Sequence, residues 1–287
     1  MANTRRIKAR LKSVESISKV TKSMKMVSAA KLHHVQSQRA AFAGFARKSE
    51  DALRRAMDGG HSRSCALLRP NGSEATCYVL FAGSRGLCGA YNIELLKCIS
   101  EQSFGESDFL IVCGRWGRDN IGHLDLPVSE IFPDMSDTPT AADAQALSGH
   151  LKELYLSGQC GCVKLVYEKF VNVLIQTPTV KTLLPPELGE RPAEGTDFVI
   201  FEPDKATLLD RAAELYFNNT VYSVLLDAKA GEHAARLNAM TSASDSTEKL
   251  IAELQLKLNH ERQAAITTEI AEVSGGANAL NRMDQDE

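Results

Sequence analysis

Some residues in this chain have types and spacings that could do chemistry. Gly83, Gly86 and Gly89 stand in Ala82-Gly-Ser-Arg-Gly-Leu-Cys-Gly-Ala-Tyr-Asn92, between the apolar run Thr76–Phe81 and a helix expected from about Ile93 to Ser103. A strand-to-helix turn of this kind can hold a phosphate at the helix N-terminus. The G-x-x-G-x-x-G spacing, however, is not the G-x-G-x-x-G dinucleotide fingerprint. No Lys-Ser/Thr pair follows to make a phosphate loop either. The expected role is a plain turn. Cys160-Gly-Cys162 could offer two thiolates to a metal, but no second Cys/His pair lies at finger spacing. His33 and His34 are neighbours on an expected helix and face different directions. There is no H-x-x-x-H pair and no G-x-S-x-G elbow. The expectation is a chain with no catalytic centre, no cofactor and no bound metal.

Bulk properties narrow the class. The 287 residues are 44% hydrophobic and 24% charged, an ordinary balance for a globular protein. No run of about 18 apolar residues occurs, so no membrane span is expected. Residues 1–30 hold no apolar h-region, so no secretory leader is expected. The seven cysteines, at 65, 77, 88, 98, 113, 160 and 162, form no paired framework. That usage fits a reducing compartment. The net charge of −3 is unevenly spread: residues 1–60 carry 14 Lys and Arg against 4 Asp and Glu. A basic helical arm fits either nucleic acid or an acidic protein surface.

The elements that would position these residues are dominated by the two ends of the chain. From Asp204 to Gly275 the sequence has no proline and one interior glycine, Gly231, a candidate kink. Asp204 is a good N-cap, and Gly275-Gly276 reads as the stop. A helix of roughly 70 residues would be on the order of 100 Å long. Leu237, Met240, Ser244, Thr247, Ile251, Leu254 and Leu258 alternate steps of three and four, and Ile266, Ile270 and Val273 continue after a phase shift. Residues 3 to about 57 form a second long helix ending at Asp58-Gly59-Gly60. Its own stripe is Ile7, Leu11, Val14, Ile17, Val20, Met24 and Val27. Such narrow seams suit one partner helix each. The two ends should therefore pair as an antiparallel coiled coil around whatever lies between them. Between them, strands at Thr76–Phe81, Phe109–Cys113, Val163–Tyr167, within Val171–Leu184 and at Phe198–Phe201 alternate with helices near 93–103 and 141–156. That order predicts an α/β, Rossmann-like domain with a largely parallel sheet. The expected organisation is an N-terminal shaft helix over 1–58, an α/β domain over 74–203 and a C-terminal shaft helix with tail over 204–287.

Three motifs then carry a family likeness. They are Ile17-Ser-Lys-Val-Thr-Lys-Ser-Met-Lys-Met-Val-Ser-Ala-Ala-Lys-Leu32, Ser84-Arg-Gly-Leu-Cys-Gly-Ala-Tyr-Asn92, and Asn259-His-Glu-Arg-Gln-Ala-Ala-Ile-Thr-Thr-Glu-Ile-Ala-Glu-Val273 followed by Ser-Gly-Gly-Ala-Asn-Ala-Leu. Together they closely resemble the gamma-subunit family of the ATP synthase, over about Asn3 to Leu280. The resemblance implies a non-catalytic central stalk whose coiled coil turns inside a hexamer of alpha and beta subunits. It implies an inserted domain near the membrane rotor ring and the small epsilon (or delta) subunit. It also implies that rotation driven by ion flow reshapes the catalytic sites. By matching motif positions, Arg262, Gln263, Thr267 and Glu269 would meet loops of the beta subunits. Met24 and Arg236 would lie at the rotor–stator contact, and Glu202 and Asp204 at the foot. Gly276 and the acidic tail Asn281–Glu287 depart from the family pattern. Plastid members carry an inserted segment with a regulatory dithiol. Nothing of that length interrupts residues 190–230, so no thiol switch of that kind is expected. The resemblance places the chain on the cytoplasmic face of a bacterial inner membrane, or alternatively on the matrix face of the mitochondrial one. Two other classes compete: a coiled-coil adapter for nucleic acid or protein, and an α/β enzyme with helical appendages. The first needs a basic stripe through the α/β domain and the second needs convergent polar groups, and the sequence shows neither.

Overall fold

Helix α1, Ala2–Met57, and helix α5, Lys205–Met283, take up the two ends of the chain. The computed structural model describes residues 2–57, 65–123, 127–132, 136–187, 202 and 204–283, with backbone alone at 2, 123 and 277–283. The expected helix stop at 58–60 and the strand at Phe198–Phe201 lie outside the described residues. So does Pro203. The chain divides into two compact units, Met1–Met26 with Met240–Glu287, and Val27–Ala239.

In the first unit the two helices run antiparallel. Asn3 donates to Glu261 at 2.7 Å and Lys22 pairs with Glu248 at 2.8 Å, so the partner number falls as the residue number rises. Ile7, Val14 and Leu254 are buried, flanked by Leu11, Leu250, Ile251 and Leu258. Met240 and Ser244 are also buried, so α5 keeps the expected seam. On α1 the seam departs from the expectation after Val14. Ser18 and Thr21 are buried, whereas Ile17 and Val20 are 52% and 58% exposed. The step from Val14 to Ser18 is four residues, which stays in phase with a 3.6-residue turn, and Ile17 falls on the neighbouring row. Small residues at this contact let the helices approach. Thr21 and Thr247 satisfy their hydroxyls on the carbonyls of Ser18 and Ser244, three residues back. Ile266, Ile270 and Val273 are exposed rather than part of a seam, because α1 begins opposite Glu261. Gly275 and Gly276 do not stop α5, which continues to Met283. Each costs about 1 kcal/mol in a helix, and neither takes the left-handed conformation of a C-terminal cap.

The second unit is a five-stranded sheet of order β3-β2-β1-β4-β5. The strands are β1 Thr76–Phe81, β2 Phe109–Cys113, β3 Val128–Phe132, β4 Cys162–Phe170 and β5 Gln176–Leu184. All pairs are parallel except the β4–β5 hairpin. Cys77, Val79 and Phe81 of β1 face a core shared with α4 (Ala141–Leu156), α5 and Leu53 of α1. Tyr78 and Leu80 face α2, Tyr91–Ser100. Both faces are covered, which explains the nearly continuous apolar strands. Helix α4 starts where a capping box forces it: Thr140 Oγ1 accepts from Asp143 N, and the Asp143 carboxylate accepts from Thr140 N. Helix α5 is capped by Asp204, whose Oδ1 accepts from Thr207 N at 2.9 Å. Between α1 and α5 in this unit, Leu32 and Val35 pack on Leu226, Ala230 and Ala234, and Arg39 pairs with Asp227. Val27 is exposed and Ser28 buried, the same departure seen in the other unit.

Helix α5 runs through Gly231 unbroken. A Cβ there would sit 3.3 Å from Tyr91 Cε2 and 3.6 Å from Glu168 Cβ, so the glycine serves close approach rather than bending. Glu168 of β4 is 1% exposed, and its Oε1 has no hydrogen-bond partner. Burial, and next the Glu94 charge, push its carboxyl up to about 8. The folded chain therefore holds this proton more tightly than the unfolded chain. Stability should fall as pH rises from the ordinary carboxylate range towards 8 and level off above it.

Two measurements follow. Carbodiimide treatment should join Lys22 to Glu248 by an amide bond. Coupling of Lys22 to other carboxylates alone would contradict the register. In thermal denaturation, Glu168→Gln should gain on the wild type by up to about 1.4 kcal/mol per pH unit between pH 5 and 8. A difference that stays constant across this range would show that Glu168 is ionised when folded.

Candidate functional site

In open α/β sheets, ligands settle outside the carboxyl ends of the strands, where the strand order reverses. Here that place lies after β1, which leads one way to β2 and has β4 on its other side. The glycine-rich turn occupies it, and α5 closes it. The phenol of Tyr91 donates to Ala228 O at 3.0 Å, and Lys229 Nζ donates to Ser84 Oγ at 3.0 Å. Arg236 donates to Arg85 O at 3.1 Å and to Gly86 O at 3.4 Å. Within the turn, Gly83 N donates to Asn92 Oδ1 at 2.8 Å, so the first helical turn of α2 holds its own leader. The space left among Phe81, Ala82, Gly114, Ala228 and Lys229 is about 10 Å³. That is room for a single water, not for a nucleotide. The turn is thus a clamp on α5.

The clamp is charged and buried. Glu232 accepts from Lys229 at 3.0 Å and from Arg236 at 2.8 Å, and all three side chains are almost completely enclosed. Burial pushes the Glu232 carboxyl up, but the Lys229 and Arg236 charges together outweigh it and hold the group below the usual range. His233, next on the helix, is buried with Nε2 at 3.3 Å from Asp137 O and Nδ1 unpartnered. Burial lowers its pKa, so the ring is neutral at pH 7.

The residues expected to meet partners lie in separate surroundings. In the first unit, Arg262, Gln263, Thr267 and Glu269 are all exposed on one stretch of α5, beyond the point where Asn3 meets Glu261. Thr267 Oγ1 donates to the backbone carbonyl of Gln263 at 2.9 Å. Met24 is half-buried on α1. In the second unit, Arg236 is buried and spends its donors on Glu232 and the glycine turn. Glu202 is exposed. Asp204 is exposed as well, and its Oδ2 accepts from the Thr207 hydroxyl at 2.7 Å. Lys229 and Glu232 were not singled out from sequence, although their three-residue spacing on a helix places them together. The outward Ile17 and Val20 were missed because a stripe counted in threes and fours accepts either Ile17 or Ser18.

Comparison with known proteins fits this architecture. Residues 3–280 match the family model described as ATP synthase. The chain is 37% identical to the ATP synthase gamma chain of Symbiobacterium thermophilum, covering 97% of this chain and 98% of the relative. It is 36% identical to the gamma chain of Moorella thermoacetica, covering 98% and 100%. In structure it is similar to a chain of the Euglena gracilis mitochondrial ATP synthase OSCP/F1/c-ring assembly, with a TM-score of 0.70 at 19% identity, covering 97% of this chain and 95% of the other. A likeness along almost the full length to gamma chains, carried on a fold shared with a chain of a distant ATP synthase, makes this chain a member of the ATP synthase gamma chain family.

Proposed function

We propose that this chain is the central stalk of a rotary ATP synthase, a non-catalytic subunit that turns with the membrane ring and reshapes the catalytic beta subunits. Its partners on this reading are the alpha and beta subunits of the hexamer, the small epsilon (or delta) stalk subunit and the rotor ring. Nucleic acid is not among them. The chain is peripheral, on the cytoplasmic face of a bacterial inner membrane or the matrix face of a mitochondrial one. One observation supports this beyond the family match. In the first unit, Ile17, Val20 and Met26 on α1 face away from the helix contact, and Ile266, Ile270 and Val273 on α5 are exposed beyond its end. Apolar side chains turned outward from a helix pair whose own seam is lined partly by Ser18, Thr21 and Ser244 call for a surrounding protein.

On the same reading, Arg262, Gln263, Thr267 and Glu269 bear torque against loops of the beta subunits. Arg262 and Glu269 are seven residues apart and share a face. Charge-assisted hydrogen bonds of roughly 1.5–3 kcal/mol each favour one angular position and still release. Met24 belongs to the rotor–stator contact. Arg236 serves that contact through the glycine turn it holds, and Glu202 and Asp204 belong to the foot. An adapter for nucleic acid gains no support, since the likeness to gamma chains runs along almost the full length.

Replacing Arg262 and Gln263 together by Ala should reduce assembly or ATP hydrolysis of the reconstituted complex at least tenfold, while the chain's own melting curve is unchanged. Normal assembly, turnover and ion pumping in that variant would remove these residues from the coupling contact. Ile17→Ser with Val20→Ser should likewise leave the isolated chain as stable as the wild type and weaken its incorporation into the hexamer. A large loss of stability instead would mean that the two side chains belong to the fold.

A further inference from the structure

In the second unit a cleft opens between α1, β4 and α5. Earlier on α1, Leu32 and Val35 fill the space against α5. Further along, Ala40, Ala43 and Ala46 follow at steps of three on the side that lines the cleft. Methyl groups do not reach across to Phe170 of β4 and Asp227 of α5, and about 790 Å³ is left between them. That lies within the roughly 300–1,000 Å³ common for small-molecule sites. No residue of the cleft is among those proposed to meet the beta subunits, the small stalk subunit or the ring.

The apolar walls are fixed before any ligand arrives. Phe42 stands edge-on to Tyr222, with ring centres 4.7 Å apart. Phe170 is buried, and the Arg39 guanidinium lies 5.5 Å from its ring centre. Arg39 also donates from Nη2 to Phe170 O at 3.1 Å and pairs with Asp227. Asp227 is the one carboxylate lining the cleft among the described residues, and Arg39 balances its charge. Two cations are then left over. Arg47 and Lys169 line the cleft, are exposed, and enter no salt bridge among the described residues. Arg47 spends only Nε, on Ala43 O of its own helix at 3.4 Å. An aromatic and aliphatic floor with two unmatched cations complements an apolar body that carries an anionic head.

From this geometry we infer that the cleft binds a single-chain amphiphile with a carboxylate head, a free fatty acid. Its hydrocarbon chain lies along Phe42, Ala43, Ala46 and Phe170, and its carboxylate meets Arg47 and Lys169. Burial of the chain supplies most of the affinity, because apolar area removed from water is the dominant gain. The two cations supply the selectivity. They reward an anionic head and repel a cationic one of the same length.

The test is calorimetry of dodecanoate binding to the full chain with no other subunit present, so its outcome does not depend on the stalk reading. One dodecanoate should bind per chain, up to about fourfold more tightly than undecanoate, which is one methylene shorter. Dodecylamine should bind at least tenfold more weakly. Arg47→Glu together with Lys169→Glu should weaken dodecanoate binding at least tenfold. Both side chains are exposed, so the melting curve of that variant should match the wild type. Ala43→Trp fills the cleft from an exposed position and should abolish uptake. If the charge variant does not fold, Ala43→Trp and the comparison with dodecylamine decide. Equal affinity for dodecylamine, unchanged binding in both variants, or several equivalents per chain would each overturn the inference. So would a chain that takes up no dodecanoate. If the charge variant then also fails to assemble into the complex, the cleft belongs to an acidic segment of a neighbouring subunit instead.

Discussion

The α/β unit depends on one buried carboxylate. Glu232 sits between Lys229 and Arg236, and each cation reaches past it to the glycine-rich turn, one through Ser84 Oγ and the other through the carbonyls of Arg85 and Gly86. Without Glu232, two buried cations would face each other in a dry crevice, an arrangement that costs several kcal/mol. With it, α5 is fastened where a related fold would hold a ligand. The same α5 segment supplies much of the core against β1, β2 and β4. The domain's usual binding crevice has thus become a joint, which fits a subunit that transmits force and performs no chemistry of its own.

Much of this was legible in the sequence because local rules and packing agree. The bounds of β1, β2 and α4 follow directly from apolar runs and from the Thr140/Asp143 cap. The Asp204 cap and the α5 seam from Met240 to Leu258 were also readable. The face of α1 was not, since hydrophobicity pointed to Ile17 and Val20 whereas the helix pair buries Ser18 and Thr21. Periodicity cannot say which of two adjacent rows meets the partner when the outer row is the more apolar. Gly275 and Gly276 misled for a related reason. A glycine pair ends a helix where the chain needs a left-handed turn, and nothing here requires one.

The candidate site divides in the same way. Arg262, Gln263, Thr267 and Glu269 came from motif likeness, and their exposure beyond the end of the helix pairing accords with contact to another chain. Arg236 came from the same likeness but proves to be an internal fastener of the turn. The buried Glu168 left no trace in the sequence. A lone Glu in a strand reads as a surface residue until Gly231 is seen to let α5 down onto it.

Past Glu261, helix α5 goes on without its partner helix as far as Met283. A lone helix in water is held by its own backbone bonds alone, and two glycines within it tax those bonds further. That stretch therefore borrows its rigidity. On the proposed stalk reading, the backbone order of residues 262–283 would report whether a surrounding protein encloses that stretch.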